Sequence, residues 1–425
     1  MKKMLSIAFA WLSFNSLSAQ NTSVQNIEPR LEALLAKMTL DEKIGQLNQV
    51  AGDISTGTEV RSDGLLAQIR AGKVGSVLSH TNFDNKTAIQ QVAVRESRLG
   101  IPILFGFDVI HGYKTIFPIP LAQAATWNLA AIERAERIAA AEAAADGQHW
   151  TFSPMVDITH DPRWGRVMEG AGEDPWYGSL VAQARIRSFQ GDDLSAVNTL
   201  AACAKHFAGY GFTEGGREYN TVDMSEQRLR QLVLPPFEAA VQAGCATFMN
   251  AFNTLNGVPA SMNKHLVSDI LRGEWGFRGL VVSDWNSFGE TIIHGAAADD
   301  VDASAKCLSA GSDMDMAGGT FQRGLQKALA QGRVTNSKLM KPCAACCASN
   351  SPWACSTTLS ATSTPTGVRK PWKNPNTARP RAKWPQKVWC CSKTTAACYP
   401  SIPRALFAKS LSSDPMSTAS ATKTT

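Results

Sequence analysis

A carboxylate delivered by a short apolar run is the first feature of this sequence that can do chemistry. In Gly279-Leu-Val-Val-Ser-Asp-Trp285, Asp284 follows a run of apolar or small residues and stands beside an indole. A carboxylate so placed can stabilise an oxocarbenium-like transition state and then trap it covalently, while an indole can stack on a sugar ring. The plainer reading is a carboxylate that caps the helix after it. Lys205 and His206 stand at the end of Ala201-Ala-Cys-Ala-Lys-His-Phe-Ala-Gly-Tyr-Gly211. A Lys inside an apolar strand is costly unless paired, so it is expected to face ligand hydroxyls or a carboxylate at the rim. A lone His is more often a satisfied core residue, but beside Lys205 at a strand end His206 reads as a ligand contact. Asp108, in Gly106-Phe-Asp-Val-Ile-His-Gly112, can accept two hydrogen bonds from vicinal hydroxyls. Arg166, in Asp161-Pro-Arg-Trp-Gly-Arg166, can donate them, unless Arg163 and Arg166 are spent on Glu169, Glu173 or Asp174.

The elements that must carry these residues alternate. Apolar, β-rich runs occur at 74–78, 101–109, 150–158, 200–207, 246–252, 280–284 and 312–316. Helical patterns lie between them, as at 130–145, 225–243 and 261–275, the last two opened by Ser225 and Ser261 as N-cap candidates. Continuous apolar strands alternating with helices indicate a parallel sheet covered on both faces. Almost every strand ends in a polar group: Asp108, Asp157, Lys205 with His206, Asn250, Asp284 and Asp313. An open doubly wound sheet would gather such groups at one switch point. Their spread over several strands predicts an α/β fold of the (β/α)8 TIM-like barrel type over residues 20–340. No Gly-rich nucleotide loop of useful specificity occurs.

Composition divides the chain at about residue 340. Residues 1–340 hold 30 basic and 35 acidic side chains, whereas 341–425 hold 12 basic and one acidic, seven of the ten Cys and no His. The basic charges of the second part are scattered without periodicity, which argues against a nucleic-acid or membrane arm. Its Cys spacing resembles zinc ligation only superficially. Cys and Trp codons both begin with TG, and a shifted reading of Leu and Val codons produces them in clusters. Moving the register one base upstream forces Glu across Met340 and Lys341 and Leu across Cys346 and Cys347, and permits Ala-Val-Arg-Arg-Val between them. Residues 341–425 are therefore expected to be an out-of-frame, disordered tail. At the other end, Lys2 and Lys3 precede an apolar run over 4–12, so residues 1–19 read as a secretory signal and the mature protein as periplasmic or secreted. No run reaches the roughly 18 apolar residues of a membrane span.

Taken together, Met38-Thr-Leu-Asp-Glu-Lys-Ile-Gly-Gln-Leu47 and the segments 106–118, 161–177, 205–211 and 280–285 resemble glycoside hydrolase family 3, in its branch of periplasmic β-glucosidases. The resemblance covers about residues 30–340. It implies a retaining, exo-acting β-glucosidase with no metal or organic cofactor. It makes Asp284 the nucleophile, Asp108, Arg166, Lys205 and His206 the ligands of the nonreducing-end sugar, and Met249 and Trp285 the lining of that subsite. Two departures follow. The branch acting on N-acetylglucosamine uses a His on the loop after Lys-His-Phe, and this chain has no His between His206 and His265. The β-glucosidase branch places its acid/base Glu in a second α/β sandwich domain, where this chain has its irregular tail. A β-xylosidase or arabinofuranosidase of the same family and a noncatalytic sugar-binding fragment are the alternatives. If the barrel alone cleaves unactivated substrates, Glu214 or Glu218 is the candidate proton donor.

Overall fold

Eight short parallel strands set the architecture. The computed structural model describes residues 28–52 and 64–358; the expected signal segment and residues 359–425 lie outside these limits. Strands β1 (Asn48–Ala51), β2 (Ser76–Leu78), β3 (Leu104–Phe107) and β4 (Trp150–Thr151) pair in sequence order. Strands β5 (Cys203–Phe207) and β6 (Thr247–Asn250) pair with each other. A hairpin follows, of β7 (Thr254–Leu255) and β8 (Val258–Pro259), before β9 (Leu280–Val282) and β10 (Asp315–Met316) complete the set. Strand β9 continues the β5–β6 sheet, and β10 joins the first sheet beside β1. Single parallel bridges, Trp150 to Ala201 and Val282 to Met314, join the two sheets at both edges. The eight strands outside the hairpin thus close on themselves as a barrel, which leaves no open sheet edge.

Layers of side chains fill the barrel, several of them polar and paired. Gln49 Nε2 donates to Ser76 Oγ at 2.7 Å, Ser76 Oγ donates to the Leu104 carbonyl at 3.0 Å, and Trp150 Nε1 donates to Thr247 Oγ1 at 2.8 Å. Outside, the helices Leu129–Ala145 and Pro175–Gln190 lean on one another through small residues such as Ala139, Ala140, Ala143 and Ala182, all buried. Asn128 caps the first helix at the Ala131 amide, and Asp174, followed by Pro175 at the first helical position, caps the second at the Tyr177 amide. Around β5 and β6, Phe207, Phe237, Phe248 and Phe277 form an edge-on cluster between sheet and helices.

Several sequence expectations are corrected. Strand β1 was not anticipated, because Asn48 and Gln49 interrupt its apolar pattern; both are buried, Asn48 Nδ2 donating to the Lys73 carbonyl and Gln49 Nε2 to Ser76 Oγ. The β7–β8 hairpin was also missed, although its turn residues Asn256 and Gly257 both hold positive φ, as a two-residue hairpin turn requires. Ser225 does cap its helix, accepting from the Arg228 amide. Ser261 does not: the helix His265–Glu274 starts later, and Ser261 Oγ meets Ser287 Oγ at 2.8 Å. Asp313 precedes β10 instead of ending a strand, and its carboxylate accepts from the Val281 amide and Arg272. Apart from these corrections, the change of composition at residue 340 lies within the helix Asn336–Thr358, whose Cys343, Cys346 and Cys347 are buried.

Candidate active site

At the C-terminal ends of β3, β5 and β9 the structure gathers Asp108, Lys205, His206 and Asp284. Strand β5 carries an irregularity between Ala204 and Phe207 in its register with β6. Such a bulge re-aims side chains, and here the consecutive residues Lys205 and His206 engage the carboxylates of Asp108 and Asp157. Lys205 Nζ donates to Asp108 Oδ1 at 2.8 Å, an ion pair between a buried ammonium and a half-exposed carboxylate. Burial pulls the Lys205 ammonium down, but the charges of Asp108, Glu169 and Asp284 outweigh it, so Lys205 titrates above its ordinary value and stays cationic.

His206 is wholly buried. Its backbone amide donates to Asp157 Oδ2 at 2.8 Å, and its Nδ1 lies 2.8 Å from the same oxygen. An acceptor at Nδ1 assigns the ring proton to that nitrogen and leaves Nε2 as an acceptor. Nε2 faces Asp284 Oδ2 at 3.5 Å. Burial, reinforced by Arg166 and Lys205, holds His206 well below its ordinary value, so the ring is neutral. Burial pushes Asp157 up to about 7.

Asp284 lies two residues past the end of β9, and its Oδ1 accepts from the Trp285 amide at 2.7 Å. Burial raises its carboxyl to about 6, against the pull of Arg166 and Lys205. The result is a carboxylate above pH 6 in a site whose low dielectric strengthens its interactions. Arg166 follows the turn after Asp161. Its Nε and one terminal nitrogen bind Glu169 at 2.8 and 3.0 Å, and its guanidinium lies 5.7 Å from the Tyr210 ring centroid. The pairing with Glu169 weighed in the sequence is therefore present, and Arg166 still bears on Asp284 electrostatically. Arg163 pairs with Asp161 at the surface instead. Met249, in β6, is buried among core residues, and Trp285 is half-buried against the same cluster.

Sequence reasoning missed Asp157 as the partner of His206, although its position at a strand end was the available signal. It also missed Tyr210, which stands edge-on to His206 at 5.2 Å between centroids and donates its hydroxyl to Glu218. Glu214 is exposed. Among the described residues, no group of three or more His, Cys, Asp or Glu is arranged to hold a metal ion.

Comparison with known proteins places this geometry in context. Residues 39–345 match the sequence profile of the glycosyl hydrolase family 3 N terminal domain. The chain is 43% identical over 306 residues to the periplasmic beta-glucosidase of Salmonella typhimurium, a match covering 72% of this chain and 40% of that protein. It is 32% identical over 344 residues to a putative beta-xylosidase of Formosa agariphila, covering 74% of this chain and 46% of the relative. Among solved structures, the beta-glucosidase of Listeria innocua in complex with glucose superposes with a TM-score of 0.72 at 40% identity, over 76% of this chain and 47% of that one. A mutant of the Listeria innocua enzyme in complex with laminaribiose gives a TM-score of 0.75 at 37% identity, over 82% and 50%. The chain thus spans less than half the length of these two curated relatives, and with eight parallel strands and a matched profile over most of its described residues it belongs to glycosyl hydrolase family 3, of which it carries the N-terminal domain.

Proposed function

We propose that this domain carries the nucleophile of a retaining, exo-acting β-glucosidase that releases terminal nonreducing β-D-glucosyl residues. The carrying observation is the buried Asp284 carboxylate at the end of β9, with the His206 ring 3.5 Å away and the charges of Lys205 and Arg166 acting on it. In this reading Asp284 attacks the anomeric carbon as the glycosidic C–O bond breaks, and the leaving oxygen takes a proton from a general acid across about 5 to 5.5 Å. Water then hydrolyses the glycosyl-enzyme with the same group acting as base. Asp108 and Lys205 serve as paired acceptor and donor for sugar hydroxyls, His206 Nε2 accepts from another, and Arg166, Met249 and Trp285 complete the subsite. The leader-like residues 1–19 and the name of the Salmonella relative support export to the periplasm or beyond, and no described helix is long and apolar enough to cross a membrane.

The test uses an activated substrate, because a dinitrophenolate leaves with little protonation. Incubation with dinitrophenyl β-glucoside is expected to add one glucosyl unit to the full chain in intact-mass spectrometry, on Asp284, and Asp284→Ala is expected to abolish it. An adduct elsewhere, or one that survives that substitution, removes Asp284 from the role. The beta-xylosidase relative favours a second reading, with xylose in the same subsite, and rates on a panel of aryl glycosides separate the two. A purely sugar-binding role predicts glucose binding in calorimetry that Asp108→Ala weakens, with no adduct on Asp284.

A further inference from the structure

Tyr219 stands on the loop after β5 with 49% of its surface open, its ring meeting Phe252 edge-on at 4.6 Å between centroids. Three carboxylates bear on this phenol, which burial and then Glu290, Asp284 and Glu218 hold above its ordinary value. Two of them have an oxygen that is buried yet accepts no hydrogen bond: Oε1 of Glu218 and Oε2 of Glu290. The other oxygen of Glu218 accepts from the Tyr210 hydroxyl, and Oε1 lies 3.7 Å from where a Cβ on Gly165 would stand, over the turn that leads to Arg166.

Glu290 lies in the first turn of the helix Ser287–Ile293, which starts just beyond Asp284 and Trp285. Helical side chains lean toward the N-terminus of their helix, which here turns Glu290 back to the barrel mouth. Burial and then the charge of Asp284 raise its carboxyl to about 7. The charges of Arg166, Lys205 and Asp108 act on Asp284, and that of Asp284 acts on Glu290. A buried acceptor without a donor is costly, and a ligand hydroxyl supplies the missing donor. An open aromatic ring supplies the apolar contact that a sugar or aryl ring needs.

We propose that Tyr219, Glu218 and Glu290 receive the leaving group and select for a hydroxyl-bearing, uncharged aglycone while rejecting an anionic one. The proposal rests on the nucleophile role of Asp284. Specificity of this kind comes from repulsion of the wrong partner as well as attraction of the right one.

The experiment compares two nitrophenyl β-glucosides whose aglycones carry a carboxamide or a carboxylate at the same ring position. The rate of glucosyl-adduct formation on the full chain is followed by intact mass at pH 8, where Glu290 is ionised. The wild type is expected to prefer the carboxamide, and Glu290→Gln to reduce that preference about tenfold, the scale of one charge at close range in a partly buried site. Glu290→Asp, which keeps the charge, is expected to retain the preference, and Tyr219→Ala to slow both substrates alike. Calorimetric glucose binding equal to wild type shows that each variant keeps its fold and its sugar subsite. An unchanged preference in Glu290→Gln, with the wild-type adduct formed, overturns the proposal alone. Absence of any adduct on Asp284 in the wild type overturns the underlying reading, and the proposal with it.

Discussion

Asp284 holds its proton more tightly in the folded protein than in the unfolded chain, and that difference is a statement about stability. Burial raises its carboxyl from the ordinary 3.8 to about 6. A group whose folded value is raised favours folding below the unfolded value and loses that contribution as pH rises through the folded one. At pH 7 the ionised Asp284 therefore costs roughly 3 kcal/mol. Asp284→Asn is expected to raise the melting temperature at pH 7 and to lose that advantage below about pH 4, as thermal unfolding at several pH values would show. A gain over wild type no larger at pH 7 than at pH 4 would mean that Asp284 titrates near its ordinary value in the folded protein. The ion pair beside it is asymmetric, with Lys205 at 4% side-chain exposure and Asp108 at 46%. Asp108→Ala strands a buried ammonium, at roughly 1 to 3 kcal/mol or more, whereas Lys205→Met leaves a carboxylate that water can reach. Urea unfolding is expected to rank Asp108→Ala as the less stable of the two, and the reverse order would mean that Glu169 and Asp284 suffice to hold Lys205.

At the scale of elements, what was legible in the sequence depended on how each strand is buried. Seven of the eight barrel strands announced themselves as apolar runs, and each began within the run or ended near its polar residue. Strand β1 escaped because the ring interior accepts Gln49 and Ser76 as a hydrogen-bonded pair, which a pattern of apolar residues cannot register. The candidate residues Asp108, Lys205, His206 and Asp284 were legible because polar groups at strand ends are exceptional against apolar strands. Tyr210 was hidden, and the pairings of Asp157 with His206 and of Glu218 with Tyr210 could not be read, because they depend on contacts across the mouth. The barrel also imposes size limits that no local pattern reveals. A Cβ on Gly106, in β3, would stand 2.7 Å from the Phe152 ring just beyond β4. Gly106→Ala is expected to overpack this layer and cost about 1 to 3 kcal/mol in chemical denaturation. Because Asp108 lies two residues on, glucose affinity should fall with it. Unchanged stability would show that Phe152 can move without loss.

At the scale of the molecule, the helix Asn336–Thr358 packs against the helices Glu28–Lys37 and Leu40–Gln46 and joins one end of the barrel to the start of the domain. Three of its buried positions are cysteines: Cys343 beside Met38, Cys346 donating to the Gln46 carbonyl at 2.9 Å, and Cys347 beside the Gln46 side chain. The helix also contains Pro342 in its seventh position, where proline removes a backbone donor and crowds the preceding turn. The register one base upstream permits Ala at 342 and Val at 343 and 346, and forces Leu at 347. It thus sets a good helix former where the present chain has Pro and larger apolar groups where the structure buries sulfur. The family match runs on to residue 345, past the point at which composition changes. Pro342→Ala is expected to stabilise the fold by about 3 kcal/mol. Adding Val, Val and Leu at 343, 346 and 347 should bring up to about 0.8 kcal/mol per methylene that finds room. The melting temperature of the full chain should rise by several degrees on the first change and further on the second, at about 2 to 4 °C per kcal/mol for a domain somewhat smaller than this one. A fall on introducing the three larger side chains, with Pro342→Ala still stabilising, would mean that this end of the barrel is shaped around cysteine. A chain indifferent to Pro342→Ala would mean that the helix contributes nothing to folding beyond its first two turns, and the shifted register would lose its structural support.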